Sequence, residues 1–175
     1  FLIMNKCDFK NIKKLPKLTI NINKWIYAEL LEVKNTVEQN LKDYRFDEAS
    51  RNVYQFVWHS YCDWYVELSK TILNSKNQKD IKEVRIVSSY IFKQILILMH
   101  PFIPFITEEI WLKNKLDNSK KNFLMLANWP KGKSKKDKNF KEVKKIINII
   151  SEIRSFKNEL NVRPGSFIDI SVEKI

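Results

Sequence analysis

The sequence predicts a mainly all-α fold, an antiparallel helical bundle with one short β-element beginning at its C-terminus. Three observations predict it. Only Gly132 and Gly165 free the backbone, and proline is confined to positions 16, 101, 104, 130 and 164, too few breakers for a sheet built on tight turns. Apolar residues recur at spacings of three and four over long stretches, which is helical periodicity. The one clear alternation, Phe167–Val172, sets Phe167, Asp169 and Ser171 against Ile168, Ile170 and Val172 and reads as a strand. A chain of 175 residues, 44% hydrophobic and 13% aromatic, has enough material for one domain with its own core.

Residues 1–22 read as a helix end, Phe1 to Met4, followed by a basic connection holding Lys6, Lys10, Lys13, Lys14 and Lys17. A helix over about 23–43, with Asn23 as its N-cap, carries Ile26, Leu30, Val33, Val37 and Leu41 along one stripe. The next, over about 46–74, places Phe46, Ala49, Val53, Val57, Trp64, Leu68 and Ile72 on one face. Tyr54, Trp58, Tyr61 and Tyr65 widen that face, so this helix should sit in the middle of the bundle. A third, over about 79–99, shows Ile81, Val84, Ser88, Ile91, Ile95 and Leu98. Pro101 should force His100 out of the helical region, and Pro104 can start a short helix over about 104–116. Residues 117–138 are irregular and lysine-rich around an apolar island at 123–130. A last helix, over about 138–160, presents Phe140, Val143, Ile146, Ile150, Ile153, Phe156 and Leu160. The organisation is then 1–22 as upstream helix end and connection, 23–160 as the helical body, and 161–175 as turn and strand.

Several function classes fall away. Cys7 and Cys62 stand too far apart for a disulfide framework, which favours a reducing, cytoplasmic setting. No apolar run reaches the roughly 18 residues of a membrane span. The net charge of +12 invites nucleic acid. However, only five of the 32 basic residues are Arg, and Lys, Asn and Ile abound while Ala is rare. That bias follows AT-rich codons, so part of the charge is compositional. The chain opens on Phe1 in mid-pattern, without a Met, which predicts a piece of something longer.

Little here supports catalysis. His59 and Cys62 share a helix face, with Cys7 and His100 available elsewhere, but the spacings match no standard zinc motif, and a helical Cys among aromatics is usually a small buried hydrophobe. No metal site is expected. Glu108 and Glu109, like Asp47 and Glu48, are adjacent on helices and do not face one another; acids in a first turn serve the helix dipole. No nucleophile elbow or phosphate-cradling glycine loop is present. The basic run 131–145, eight lysines against Asp137 and Glu142, is either a solvated face or a phosphate-tracking surface. Trp58, Tyr61, Trp64 and Tyr65 stand at helical spacing amid apolar residues, which favours core packing over base stacking.

The segment YRFDEASRNVYQFVWHSYCDWYVELSK at 44–70 closely resembles the signature helix of valyl-tRNA synthetases, with Phe46, Trp58, Cys62, Asp63, Trp64, Tyr65 and Glu67 as its marking residues. HPFIPFITEEIW at 100–111, marked by His100, Pro101, Pro104 and Trp111, resembles their next block. NINKWIYAEL (21–30), ANWP (127–130) and IRSFKNELNVRPG (153–165) are similar to further blocks in the same order. The 100–111 block is shared with leucyl and isoleucyl enzymes; CDWYVE is the discriminating piece.

The resemblance implies a bundle of the class Ia anticodon-binding type, with tRNA(Val) and the remaining domains of the same chain as partners and neither membrane nor DNA. It implies no cofactor in this piece, with ATP and Mg²⁺ used by the catalytic body of a valine–tRNA ligase, and no catalysis by the piece itself. It also implies that Phe1 matches an aromatic that stacks on an anticodon base, with Lys6, Lys10, Lys13, Lys14 and Lys17 as backbone contacts. The alternatives are the same domain of an isoleucyl or leucyl enzyme, or a helical protein-interaction module.

Overall fold

The computed structural model describes residues 1–9, 15–114, 116, 123–132, 138–163, 165–167 and 169. Its elements are α1 (Asn21–Lys42), α2 (Phe46–Gln55), a π-helical segment (Phe56–Val66), α3 (Glu67–Leu73), α4 (Gln78–Met99), α5 (Pro104–Lys113), a 3₁₀ turn (Leu124–Leu126) and α6 (Lys138–Glu159). α1 packs against α2, the π segment, α4 and α6, while α4 also meets α2, α3 and α5. The all-α bundle expected from the sequence is therefore present. The strand expected over Phe167–Val172 is not shown: most of it lies outside the described residues, and Phe167 and Asp169 form no strand.

α1 buries Ile26, Leu30 and Val37 from its stripe. It starts two residues before the expected cap, after Ile20 in extended conformation with no side-chain cap of its own. A carboxylate from α4 instead accepts from the N–H of Ile20 itself. α4 buries Ile81, Val84, Ser88, Ile91, Ile95 and Leu98. Its start is set by Asn77, whose side chain accepts from the backbone N–H of Lys79 and Asp80 at 3.1 and 3.4 Å, satisfying orphan donors of the first turn.

The expected helix 46–74 is continuous in path but not in winding. Ala49 and Val53 are buried as the stripe requires. Beyond Gln55 the chain winds as a π-helix, and the buried residues become Phe56, Tyr61 and Tyr65, followed by Ser69 of α3. Bonding to i+5 widens each turn, so residues four to five apart share a face. A stripe projected at 3.6 residues per turn chose Val57, Trp64 and Leu68; the wider winding moves the inner positions to their neighbours. Trp64 is accordingly half-buried, with the Arg154 guanidinium 5.0 Å from its ring centroid, and Trp58 is 54% exposed against Tyr54. Neither is the core residue expected. Phe46 and Cys62 are likewise exposed rather than buried.

Two further expectations fail locally. His100 keeps right-handed helical dihedrals and donates its N–H to Leu96 at 3.0 Å. The preference against helix before proline yields because Phe102 and Ile103 both close back on the Met99 carbonyl, tightening the corner into α5. On α6, Phe140 and Val143 are buried, but Ile146, Phe156 and Leu160 are exposed; only the first half of this helix lies on α1. There Lys144 pairs with Glu29 at 2.9 Å. Gly132, at φ +129°, brings the chain against Leu31, whose Cδ2 would stand 3.1 Å from an added Cβ.

A candidate nucleic-acid interface

Phe1 to Asn5 forms one helical turn, closed by the Asn5 N–H on the Phe1 carbonyl at 3.0 Å. It ends in a Schellman motif: Lys6 takes φ 55°, its N–H reaches Ile3 O, and the Cys7 N–H reaches Leu2 O, both at 3.0 Å. Tyr44 (φ 58°) ends α1 by the same pattern, and Asn161 (φ 53°) ends α6. Among the described residues, the three left-handed residues other than glycine are thus all helix terminators. At Lys6 the effect is to turn the chain sharply, leaving the lysine exposed and Cys7 buried.

The described parts of the connection, 7–9 and 15–20, each meet α4 at one place. At one, the Cys7 thiol pairs with Ser89, and the Phe9 and Phe92 rings meet with centroids 5.9 Å apart. Burial raises the thiol pKa, against the Ser89 hydrogen bond and the charge of Arg85. At the other, Glu83 accepts from the backbone N–H groups of Thr19 and Ile20 at 3.1 Å, from the Thr19 hydroxyl, and from Asn23 Nδ2 at 2.9 Å. Burial alone raises the pKa of Glu83, but the hydrogen bonds from Asn23, Thr19 and Ile20 outweigh it and hold the carboxyl below its ordinary value. The acid thus ties both the connection and the entry to α1 onto α4.

The aromatic signature reaches this anchor through buried hydrogen bonds. Tyr65 donates its hydroxyl to Asn23 Oδ1 at 2.8 Å and accepts from Ser88 Oγ at 3.3 Å. Tyr61 donates to the Ser88 carbonyl at 3.1 Å. Asn23 is fully buried and uses both ends of its amide, one on Tyr65 and one on Glu83. The two buried tyrosines of the signature therefore help hold the connection in place, while Trp58, Cys62 and Asp63 of the same segment are exposed.

Of the residues expected to contact RNA, Phe1 is half-buried, and Lys6 and Lys17 are exposed on the pinned connection. Lys10, Lys13 and Lys14 lie outside the described residues. Phe1, Leu2 and Phe9 border a groove of about 390 Å³ floored by Tyr61, Cys62 and Phe92, within the size range of small-ligand clefts. Glu83 and Arg85 were missed in the sequence. Nothing local marks Glu83 as a remote cap; Arg85 could have been singled out as one of few arginines in a lysine-rich chain.

The other signature residues serve structure. His59 pairs with Asp63 at 3.3 Å on the exposed side, and Glu67 pairs with Lys70. His100 Nδ1 lies 2.9 Å from Thr107 Oγ1. Because the Thr107 hydroxyl proton is committed to the Ile103 carbonyl at 2.9 Å, the histidine is the donor in that pair. Glu108 accepts from the Leu124 N–H at 3.0 Å, and Trp111 is buried beneath Lys93. Among the described residues no cluster of three or more His, Cys, Asp or Glu is placed to hold a metal, and no helix is long and apolar enough to cross a membrane.

Comparison with known proteins places these features in context. Residues 23–172 match the family model described as the anticodon-binding domain of tRNA ligase. The chain is 69% identical over 175 residues to a valine–tRNA ligase of Pelagibacter ubique, covering all of this chain and 20% of that protein. It is 38% identical over 166 residues to the valine–tRNA ligase of Zymomonas mobilis (92% of this chain, 18% of that protein). It is also 34% identical over 155 residues to that of Agrobacterium fabrum (88% and 16%). The chain therefore spans about one fifth or less of these relatives.

Proposed function

Because the chain belongs to the anticodon-binding domains of tRNA ligases, we propose that it grips the anticodon arm of tRNA(Val) so that a catalytic body elsewhere in a longer protein can attach valine. The observation that carries this reading is the basic connection, held to α4 at Cys7 and by Glu83, with Lys6 and Lys17 exposed on it. Lysines on a fixed track suit a polyanion, since their spacing survives binding at little entropic cost. The groove beside Phe1 supplies an apolar, aromatic-edged seat for one unstacked base.

The choice of tRNA(Val) over tRNA(Ile) or tRNA(Leu) rests on relatives that are named valine–tRNA ligases. The chain itself uses no cofactor in this reading. ATP and Mg²⁺ act in the remaining domains, and the whole works in the cytoplasm.

Titration of the chain with tRNA(Val) and with an unrelated tRNA, from low to moderate salt, tests it. tRNA(Val) is expected to bind more tightly, with a negative salt slope near 0.9 per phosphate neutralised. Phe1→Ala should lose about 1–3 kcal/mol of that binding, the worth of one stacked base. Equal binding of both tRNAs, untouched by Phe1→Ala, contradicts the reading.

A further inference from the structure

Among the described residues, the buried polar side-chain atoms without a hydrogen-bond partner belong to Trp25, Glu29, Asn40, Arg85, Trp111 and Trp129. Those of Trp25, Trp111, Trp129 and Asn40 are neutral, and Glu29 has Lys144 at 2.9 Å. Arg85 is different. It is a permanent cation, half-buried, with its Nε enclosed and unbonded, and it forms no ion pair among the described residues. A half-buried cation with no counter-ion among the described residues is costly unless an anion neutralises it.

Its surroundings say what would. Arg85 lies on α4 between the two points where the basic connection is pinned, Glu83 and Ser89. The neighbouring acid, Glu83, is committed to Thr19, Ile20 and Asn23, and Asp80 to Asn77. Neither neutralises the guanidinium. With Nε enclosed, the inner edge of the group is fixed in the protein. Its two terminal nitrogens donate no hydrogen bond among the described residues and are not enclosed. Parallel N–H groups on a held, planar cation match two oxygens of one phosphate.

We propose that Arg85 is a phosphate ligand, closing end-on upon one phosphodiester of the RNA that tracks along Lys6 and Lys17. This deepens the tRNA-binding reading and rests on it for the identity of the polyanion.

The test compares the parent chain with Arg85→Gln and Arg85→Lys, reading tRNA(Val) affinity against salt, thermal stability, and the Nε–H resonance of Arg85. Being enclosed, that proton should be visible by NMR. Arg85→Gln should bind roughly ten-fold more weakly, the worth of a charge-assisted pair, with a salt slope shallower by about 0.7–0.9 and unchanged or higher stability. Arg85→Lys should keep the slope and lose affinity, because a point charge cannot offer the fork. The Nε–H signal should shift on adding tRNA(Val), or inorganic phosphate at high concentration. An Arg85→Gln protein with parental affinity and slope overturns the proposal. So does a loss of stability as large as the loss of binding, which would make Arg85 structural. If the parent fails to bind tRNA, the tRNA reading falls by itself; the resonance under inorganic phosphate then decides Arg85, a shift supporting the phosphate site and its absence overturning it.

Discussion

Glu83 shows how one side chain joins two segments that sequence keeps about 60 residues apart. Its carboxylate accepts from the two backbone N–H groups just before α1 and fastens the basic connection to α4. The linkage to pH follows from the sign of its shift. The folded pKa lies below the ordinary carboxyl value, so the charged form is favoured by folding. That contribution is fully present above the unfolded pKa and is lost as pH falls through the folded one. Glu83→Gln should therefore lower stability near neutrality by about 1–3 kcal/mol, since two backbone donors lose a charged acceptor. The difference from the parent should shrink on acidification below the usual carboxyl range, as followed by urea unfolding at several pH values. A constant difference across that range would show that the charge of Glu83 does not matter.

At the scale of elements, the winding of the segment Phe56–Val66 decides what the aromatic signature does. Helical periodicity picks out the right stripes for α1 and α4 because those helices hold 3.6 residues per turn throughout. It misplaced the stripe between Val57 and Leu68, because no residue type announces π winding. Composition shows a run of large aromatics, not the hydrogen-bond register beneath it. The structure makes Tyr65 a core residue and Trp64 a half-buried neighbour under Arg154. Tyr65→Ala should cost about 3–5 kcal/mol, as a full core truncation that also strands Asn23. Trp64→Ala should cost roughly half as much, because part of its ring is already in water. Thermal denaturation of the two variants checks this, and the reverse order would restore a continuous α-helical register. The missing half of the α6 stripe has a similar origin. Phe156 and Leu160 continue the pattern of Phe140 and Val143 in sequence, but α1 lies only against the first half of the helix.

For the whole molecule, the bundle type and its family were legible in the chain, while the sequence could name candidate contact residues without placing them. Lysine content located a basic connection before α1, yet charge counting alone would favour the still more lysine-rich stretch leading into α6. What separates them is placement. The connection is pinned at two points on α4 beside a groove and an uncompensated arginine. On α6, Lys144 is drawn to Glu29 and lies 5.0 Å over the Phe140 ring. Of the segment 56–66 only Phe56, Tyr61 and Tyr65 face inward, and Tyr65 reaches the connection through Asn23 and Glu83.

The central claim is that RNA lies along the connection between Phe1 and Ile20. A lysine-reactivity footprint, read by mass spectrometry with and without the anticodon stem-loop of tRNA(Val), tests it most directly. The account predicts that Lys6 and Lys17 become protected while Lys138, Lys141 and Lys145 on α6 stay reactive. Protection confined to α6, with Lys6 and Lys17 unchanged, would contradict it.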